Sequence, residues 1–145
     1  MKKKLRIKPR SGKAITITRD AFKAERLVYI GCANKNIKYR WDKSKIAYIG
    51  TTKKGARRVA ASAVWKGADI VFEHGIKQLE FHVVTCTKRQ NVETWRKLET
   101  ALIIRFRELF GDPPKGNEKG KKQKWSDEKD YFAQSALDSV IKKYS

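Results

Sequence analysis

Tyr48-Ile49-Gly50-Thr51-Thr52-Lys53-Lys54-Gly55-Ala56-Arg57-Arg58-Val59 decides how the chain is read. It joins a short apolar run, Ile46-Ala47-Tyr48-Ile49, to a basic segment. Gly50 falls where a strand is expected to end, so turning freedom and close backbone approach both explain a glycine there. Two threonines, two lysines and two arginines follow at once. Hydroxyls and guanidinium forks at a strand end make a site suited to a phosphate. Leu27-Val28-Tyr29-Ile30-Gly31 is a second run of the same kind, also carrying a tyrosine. Strands are expected at 27–32 and 45–50, paired so that the two phenols meet.

The region between them, Ala33 to Lys43, is polar and reads as a long loop. Its cluster of Tyr39, Arg40 and Trp41 could stack on bases while its charges touch a sugar-phosphate backbone. The alternative is that Trp41 packs back onto the sheet. A helix is expected from about Lys53 to Lys66, because Ala56, Val59, Ala60, Ala63 and Val64 recur at helical spacing. Lys53, Lys54, Arg57 and Arg58 then occupy its first turns. The helix dipole disfavours cations there, unless a bound anion completes the site. Ile70-Val71-Phe72 could be a helical turn or a strand. Gln78 to Thr87 reads as a third strand.

The clearest helix runs from 92 to 110, with Trp95, Leu98, Leu102, Phe106 and Leu109 at three- and four-residue steps. Glu99 lies on or beside that stripe, where an unpaired carboxylate is costly. Arg58 or Arg96, a hydrogen-bond network, or a metal ion would each compensate it. Gly111-Asp112-Pro113-Pro114 ends the helix. Residues 115 to 124 read as a basic loop able to lie along nucleic acid, and Ser126 or Asp127 as the cap of one final helix.

Charge is the extreme feature of the composition: 35 Lys+Arg against 15 Asp+Glu, net +20 over 145 residues. A field of that sign implies a polyanionic partner. Residues 1 to 13 form a basic arm, followed by a β-prone Ala14-Ile15-Thr16-Ile17-Thr18. No run is long and apolar enough for a membrane span. Cys32 and Cys86 stand apart with no metal-ligand spacing, as expected of free thiols in a reducing cytoplasm. His74 and His82 read as surface or packing residues.

The ordered set Leu27-Val28-Tyr29, Tyr48-Ile49-Gly50, Arg58, Glu99 and Pro113-Pro114-Lys115-Gly116-Asn117 resembles the GIY-YIG nuclease superfamily, over roughly residues 27 to 117. The resemblance implies an α+β fold, with a small, mainly antiparallel three-stranded sheet flanked by helices. To this the chain adds an N-terminal arm and strand (1–26) and a basic loop with a C-terminal helix (118–145). It implies a divalent-metal-dependent endonuclease acting on DNA, of a restriction or phage type. Tyr29 and Tyr48 would be the motif tyrosines and Arg58 the phosphate-binding arginine. Glu99 would be the ligand of Mg²⁺ or Mn²⁺, and Asn117 the brace. Lys53, Lys54, Arg57, Arg40, Trp41, Lys115, Lys121 and Lys122 would contact the nucleic acid. A homodimer would let such an enzyme cut both strands. One position departs: many members carry histidine or tyrosine four residues after the arginine, and here it is Ser62. A non-catalytic RNA- or ribosome-associated protein, and a repair-type nicking nuclease, are the competing readings.

Overall fold

The computed structural model describes residues 4–13, 25–54, 69–70, 73–120 and 123–145. Several expectations lie outside the described residues: the strand at 14–18, most of the helix at 53–66, Arg57, Arg58, Ser62, Lys121 and Lys122. Within them the chain is α+β, with three antiparallel strands and three α-helices. Strand β1 is Leu27–Lys38, β2 is Lys43–Thr52 and β3 is Leu79–Val84. The order is β2-β1-β3, so β1 is central. Helix α1 is Thr94–Phe110, α2 is Glu128–Tyr131 and α3 is Gln134–Tyr144. A 3-10 helix, Lys115–Gly120, joins α1 to the C-terminal helices. Residues 69–70 and 73–74 are helical, so Ile70 of the ambiguous stretch is helical, while Val71 and Phe72 lie outside the described residues.

The long loop expected between the first two strands is instead a continuation of both. β1 runs to Lys38 and β2 starts at Lys43, closed by a tight turn in which the Tyr39 N–H donates to the Asp42 carbonyl at 2.9 Å. Polar Asn34, Lys35 and Asn36 are exposed in an irregularity of β1: between the Cys32–Ile46 and Ile37–Ser44 pairs, four residues of β1 oppose one of β2. Beyond them Ile37 and Tyr39 point inward while Lys38 and Arg40 point out.

A bulge sets which faces the second strand presents. Gly31 pairs with Tyr48, but the next residue, Cys32, pairs with Ile46, leaving Ala47 as the extra residue. Ile46 and Ile49 are three apart, so a regular strand would place them on opposite faces. The bulge puts both on the α1 side, where they are 0% and 1% exposed. Tyr48 is left to the other face, beside Tyr29.

The main core lies between the sheet and α1: Val28, Ile30, Ile46 and Ile49 meet Leu98, Ala101, Leu102 and Phe106. Phe110, not Leu109, completes the buried helix face; Leu109 is exposed. Gly111 ends α1 in the left-handed region (φ 84°), its N–H donating to the Arg107 carbonyl at 2.8 Å. Leu137 and Ile141 of α3 join the same core. A two-pronged ion pair, Arg105 Nε to Asp138 Oδ1 at 2.6 Å and Nη2 to Oδ2 at 3.2 Å, ties α3 to α1. The single C-terminal helix expected from sequence is two helices, interrupted at Phe132 and Ala133, whose backbones are extended. No side chain caps the first of them in the expected way. The Ser126 hydroxyl and N–H instead engage the carboxylate of Glu128.

Tyr39 is a core residue, 3% exposed and edge-on to Phe106 with ring centroids 5.0 Å apart, so it takes no part in base stacking. Its hydroxyl donates to the Ile46 carbonyl at 2.6 Å and accepts from the Lys115 N–H at 3.2 Å. One phenol thereby links the hairpin, the bulge and the start of the 3-10 helix. Tyr39→Phe leaves both partners without it. It is expected to cost about 1–3 kcal/mol, read from denaturant unfolding.

Candidate active site

The antiparallel register sets Tyr29 opposite Gly50 and Gly31 opposite Tyr48. On that face the two tyrosine rings lie 5.8 Å apart, centroid to centroid, and tilted. Phe81 of β3 flanks Tyr29 at 6.1 Å. The expected meeting of the phenols is therefore present, and the Tyr48 hydroxyl hydrogen-bonds to Tyr29. Gly50 is not a turn residue. It lies inside β2, directly under the Tyr29 ring. A Cβ there would fall 2.5 Å from Tyr29 Cζ and 2.6 Å from its hydroxyl oxygen. Close approach, rather than turning freedom, is what demands glycine.

Glu99 is carried by α1, and its charge acts on the Tyr48 phenol. Burial raises the Glu99 carboxyl to about 7, and the cationic Arg96 offsets this only in part. Arg96 is largely exposed and paired with Glu93 at 3.3 Å. Among the described residues, no hydrogen bond or ion pair reaches the Glu99 carboxylate. Tyr48 is pushed well above its usual range, first by burial, then by Tyr29 and by Glu99. The free protein therefore holds this phenol neutral.

Asn117 sits in the 3-10 helix, and its side-chain amide pairs with the backbone of Ile49 in both directions. Its Nδ2 donates to the Ile49 carbonyl at 2.7 Å, and its Oδ1 accepts from the Ile49 N–H at 2.8 Å. The amide completes β2 as a short strand would, covering part of its outer edge and fixing the residue next to Tyr48. Asn117→Asp keeps the acceptor but sets an oxygen against the Ile49 carbonyl. A loss of about 1–3 kcal/mol is expected in denaturant unfolding, while Asn117→Gln, with a longer arm, should break the register of the pair. Gly116, quoted above only as part of the stretch from Pro113 to Asn117, lets this turn lie flat on Tyr48: a Cβ there would come 2.8 Å from Tyr48 Cδ2. Its only sequence signal is its place beside Asn117 in a stretch full of lysine.

The remaining expected contacts divide. Lys53 and Lys54 are exposed, but they form a bend after β2 rather than a helical turn. The hydroxyls expected to suit a phosphate are engaged within the protein: Thr51 donates to the Leu27 carbonyl at 2.9 Å, and Thr52 accepts from the Lys54 N–H at 3.1 Å. Arg40 and Trp41 are exposed at the hairpin tip, Trp41 by 65%, so it does not pack onto the sheet. Lys115 is half-buried, its ammonium 5.4 Å from the centre of the Tyr39 ring. It belongs to an ordered 3-10 helix rather than to a loose loop.

Among the described residues, no three His, Cys, Asp or Glu side chains form a metal cage. A single carboxylate is nonetheless a fitting donor for Mg²⁺, which keeps most of its waters and takes phosphate oxygens beside one or two carboxylates. A half-buried carboxylate with no ion partner among the described residues suits such an ion. His82 stacks on Tyr144 at 4.8 Å, and His74 lies 4.0 Å from Glu73; neither belongs to this group. Both cysteines are free, and burial, with the Glu80 charge adding to it, pushes the Cys32 thiol up to about 12. No helix among the described residues is long and apolar enough to cross a membrane. Compared with protein-family models, with curated proteins and with solved structures, the chain gives no match.

Proposed function

We propose that this protein is a divalent-metal-dependent endonuclease that hydrolyses phosphodiester bonds in DNA, with its site at Tyr29, Tyr48, Glu99 and Asn117 and with Arg58 as its phosphate-binding cation. The observation that carries the reading is Glu99. A carboxyl raised to about 7 by burial, with no bonded partner among the described residues, exerts its charge on Tyr48 of the tyrosine pair.

Glu99 would hold Mg²⁺ or Mn²⁺, which when bound supplies charge neutralisation at a phosphate oxygen. The chain's own groups do the rest. Tyr48, kept neutral with its proton engaged by Tyr29, offers its oxygen lone pairs as an acceptor to orient the attacking water. Tyr29 fixes the Tyr48 hydroxyl through their hydrogen bond. Asn117 holds β2 so that Tyr48 keeps its place. Arg58 would give planar donors to a nonbridging oxygen. The field of +20 draws the polyanion to the site. Homodimerisation would serve cleavage of both strands.

Supercoiled plasmid incubated with the protein in Mg²⁺, in Mn²⁺ and in EDTA tests the reading. Nicked or linear product that appears only with metal is expected. An intact plasmid under every metal, with a salt-sensitive gel shift, would instead indicate a binding protein that has no use for Glu99.

A further inference from the structure

Trp41 combines exposure with a rigid mount. It lies at the tip of the β1–β2 hairpin with 65% of its surface exposed. Its N–H donates to the Phe110 carbonyl at 3.1 Å, which pins the tip to the end of α1. The turn behind it is closed by the Tyr39–Asp42 hydrogen bond and by Asp42 Oδ1 accepting from the Lys43 N–H at 2.7 Å. Gly111 makes room for the mount: a Cβ on it would fall 2.8 Å from Arg40 Cβ and 2.9 Å from Trp41 Cδ2. One edge of the indole thus rests on a glycine cap while most of the ring faces solvent. A side chain that merely filled space would be covered.

The surroundings are cationic. Lys38, Arg40 and Lys43 are exposed on the same hairpin end. Asp42, the carboxylate inside this group, is engaged by its own turn. The tip also connects to the candidate site through contacts already described. Tyr39 bonds to Lys115, Gly116 lies on Tyr48, and Asn117 holds Ile49. Tyr48 is the seventh residue after Trp41, at most about 25 Å along the chain. That is within reach of one bound strand of about 4–16 nucleotides.

We infer that Trp41 is a stacking platform for an unpaired base, and that the site takes DNA with single-stranded character rather than intact duplex. This deepens the nuclease reading and rests on it. An aromatic face stacks on an exposed base without sequence preference. In a duplex every base is already stacked, so the same contact would first require a base step to open. Arg40, Lys38 and Lys43 hold the strand's phosphates on either side of the ring.

The test is fluorescence anisotropy in EDTA at about 0.15 M salt, so that binding is read without cleavage. The probes are a labelled single strand of about 20 nucleotides and the same strand annealed to its complement. Trp41→Ala is expected to weaken single-strand binding about 10-fold and duplex binding less than about 2-fold, with Trp41→Phe restoring most of the loss. The slope of affinity against salt should stay unchanged, because no cation is removed. Unchanged circular dichroism confirms the fold of the exposed-site variants. An equal loss on both probes, or none on the single strand, overturns the inference. If wild type binds neither probe, the nucleic-acid reading falls with it. If the plasmid stays intact in metal while the single-strand loss appears, the nuclease reading fails and the platform stands.

Discussion

Glu99→Gln is expected to be more stable than wild type and, on the proposed nuclease reading, to lose DNA cleavage. The two effects have one cause. The carboxyl is raised from 4.5 to about 7 because burial penalises its charge, a difference on the order of 3 kcal/mol at 1.36 kcal/mol per unit. A raised acid contributes stability fully below its unfolded value and loses that contribution as pH rises through its folded value. Wild type is therefore penalised progressively from pH 4.5 to about 7, and fully above. Glutamine keeps the shape and removes the charge. The variant should gain about 1–3 kcal/mol at pH 8, and close to nothing below pH 4.5. Cleavage should fall by at least about 10²-fold, since the amide cannot replace the carboxylate as a charged donor to a hard cation. The same group sets a pH limb: wild-type cleavage at limiting Mg²⁺ should rise through about pH 7 as Glu99 ionises. A variant that lost stability would mark Glu99 as part of a structural ion pair.

Gly50→Ala is expected to be nearly as damaging, by a purely steric route. Its methyl group would fall 2.5 Å from Tyr29 Cζ and 2.7 Å from Cε2. Tyr29 is 3% exposed and flanked by Tyr48 and Phe81, so its ring has little room to swing away. Overpacking of this kind costs about 1–3 kcal/mol. Because the Tyr29 hydroxyl positions that of Tyr48, a displacement of about 1 Å should lower cleavage about 10²-fold. A double-mutant cycle isolates the cause. In a Tyr29→Ala background the colliding ring is gone, and Gly50→Ala should become close to neutral in stability. The coupling energy would lie at the upper end of the usual range of about 0.5–3 kcal/mol.

The pairing of the two tyrosine strands and the position of α1 were legible because apolar spacing carries them directly. Glu99 was legible for the same reason: a carboxylate among Trp95, Leu98 and Leu102 asks for compensation. The length of the hairpin was not. Asn34, Lys35 and Asn36 read as loop, and only the sheet shows that they are exposed positions of an irregular strand. Ile37-Lys38-Tyr39-Arg40 did alternate, and that signal separates buried Tyr39 from exposed Arg40. The Ala47 bulge was hidden in a uniformly apolar run, where no polar residue marks the change of face. The asparagine was expected to brace the site. Its observed pairing with the edge of β2 depends on a contact 68 residues away in sequence, which local patterning cannot express. The break at Phe132–Ala133 has no glycine or proline to announce it.

The carboxyl titration of Glu99, followed by carbon-13 NMR from about pH 4 to pH 9 with and without millimolar Mg²⁺, tests the central claim most directly. The expected midpoint is about 7 in the free protein, falling by about one unit or more when Mg²⁺ is added, because the ion binds only the ionised form. A midpoint near 4.5 that Mg²⁺ does not move would contradict the claim, since it would describe an acid that is already solvated or paired and has no use for a metal.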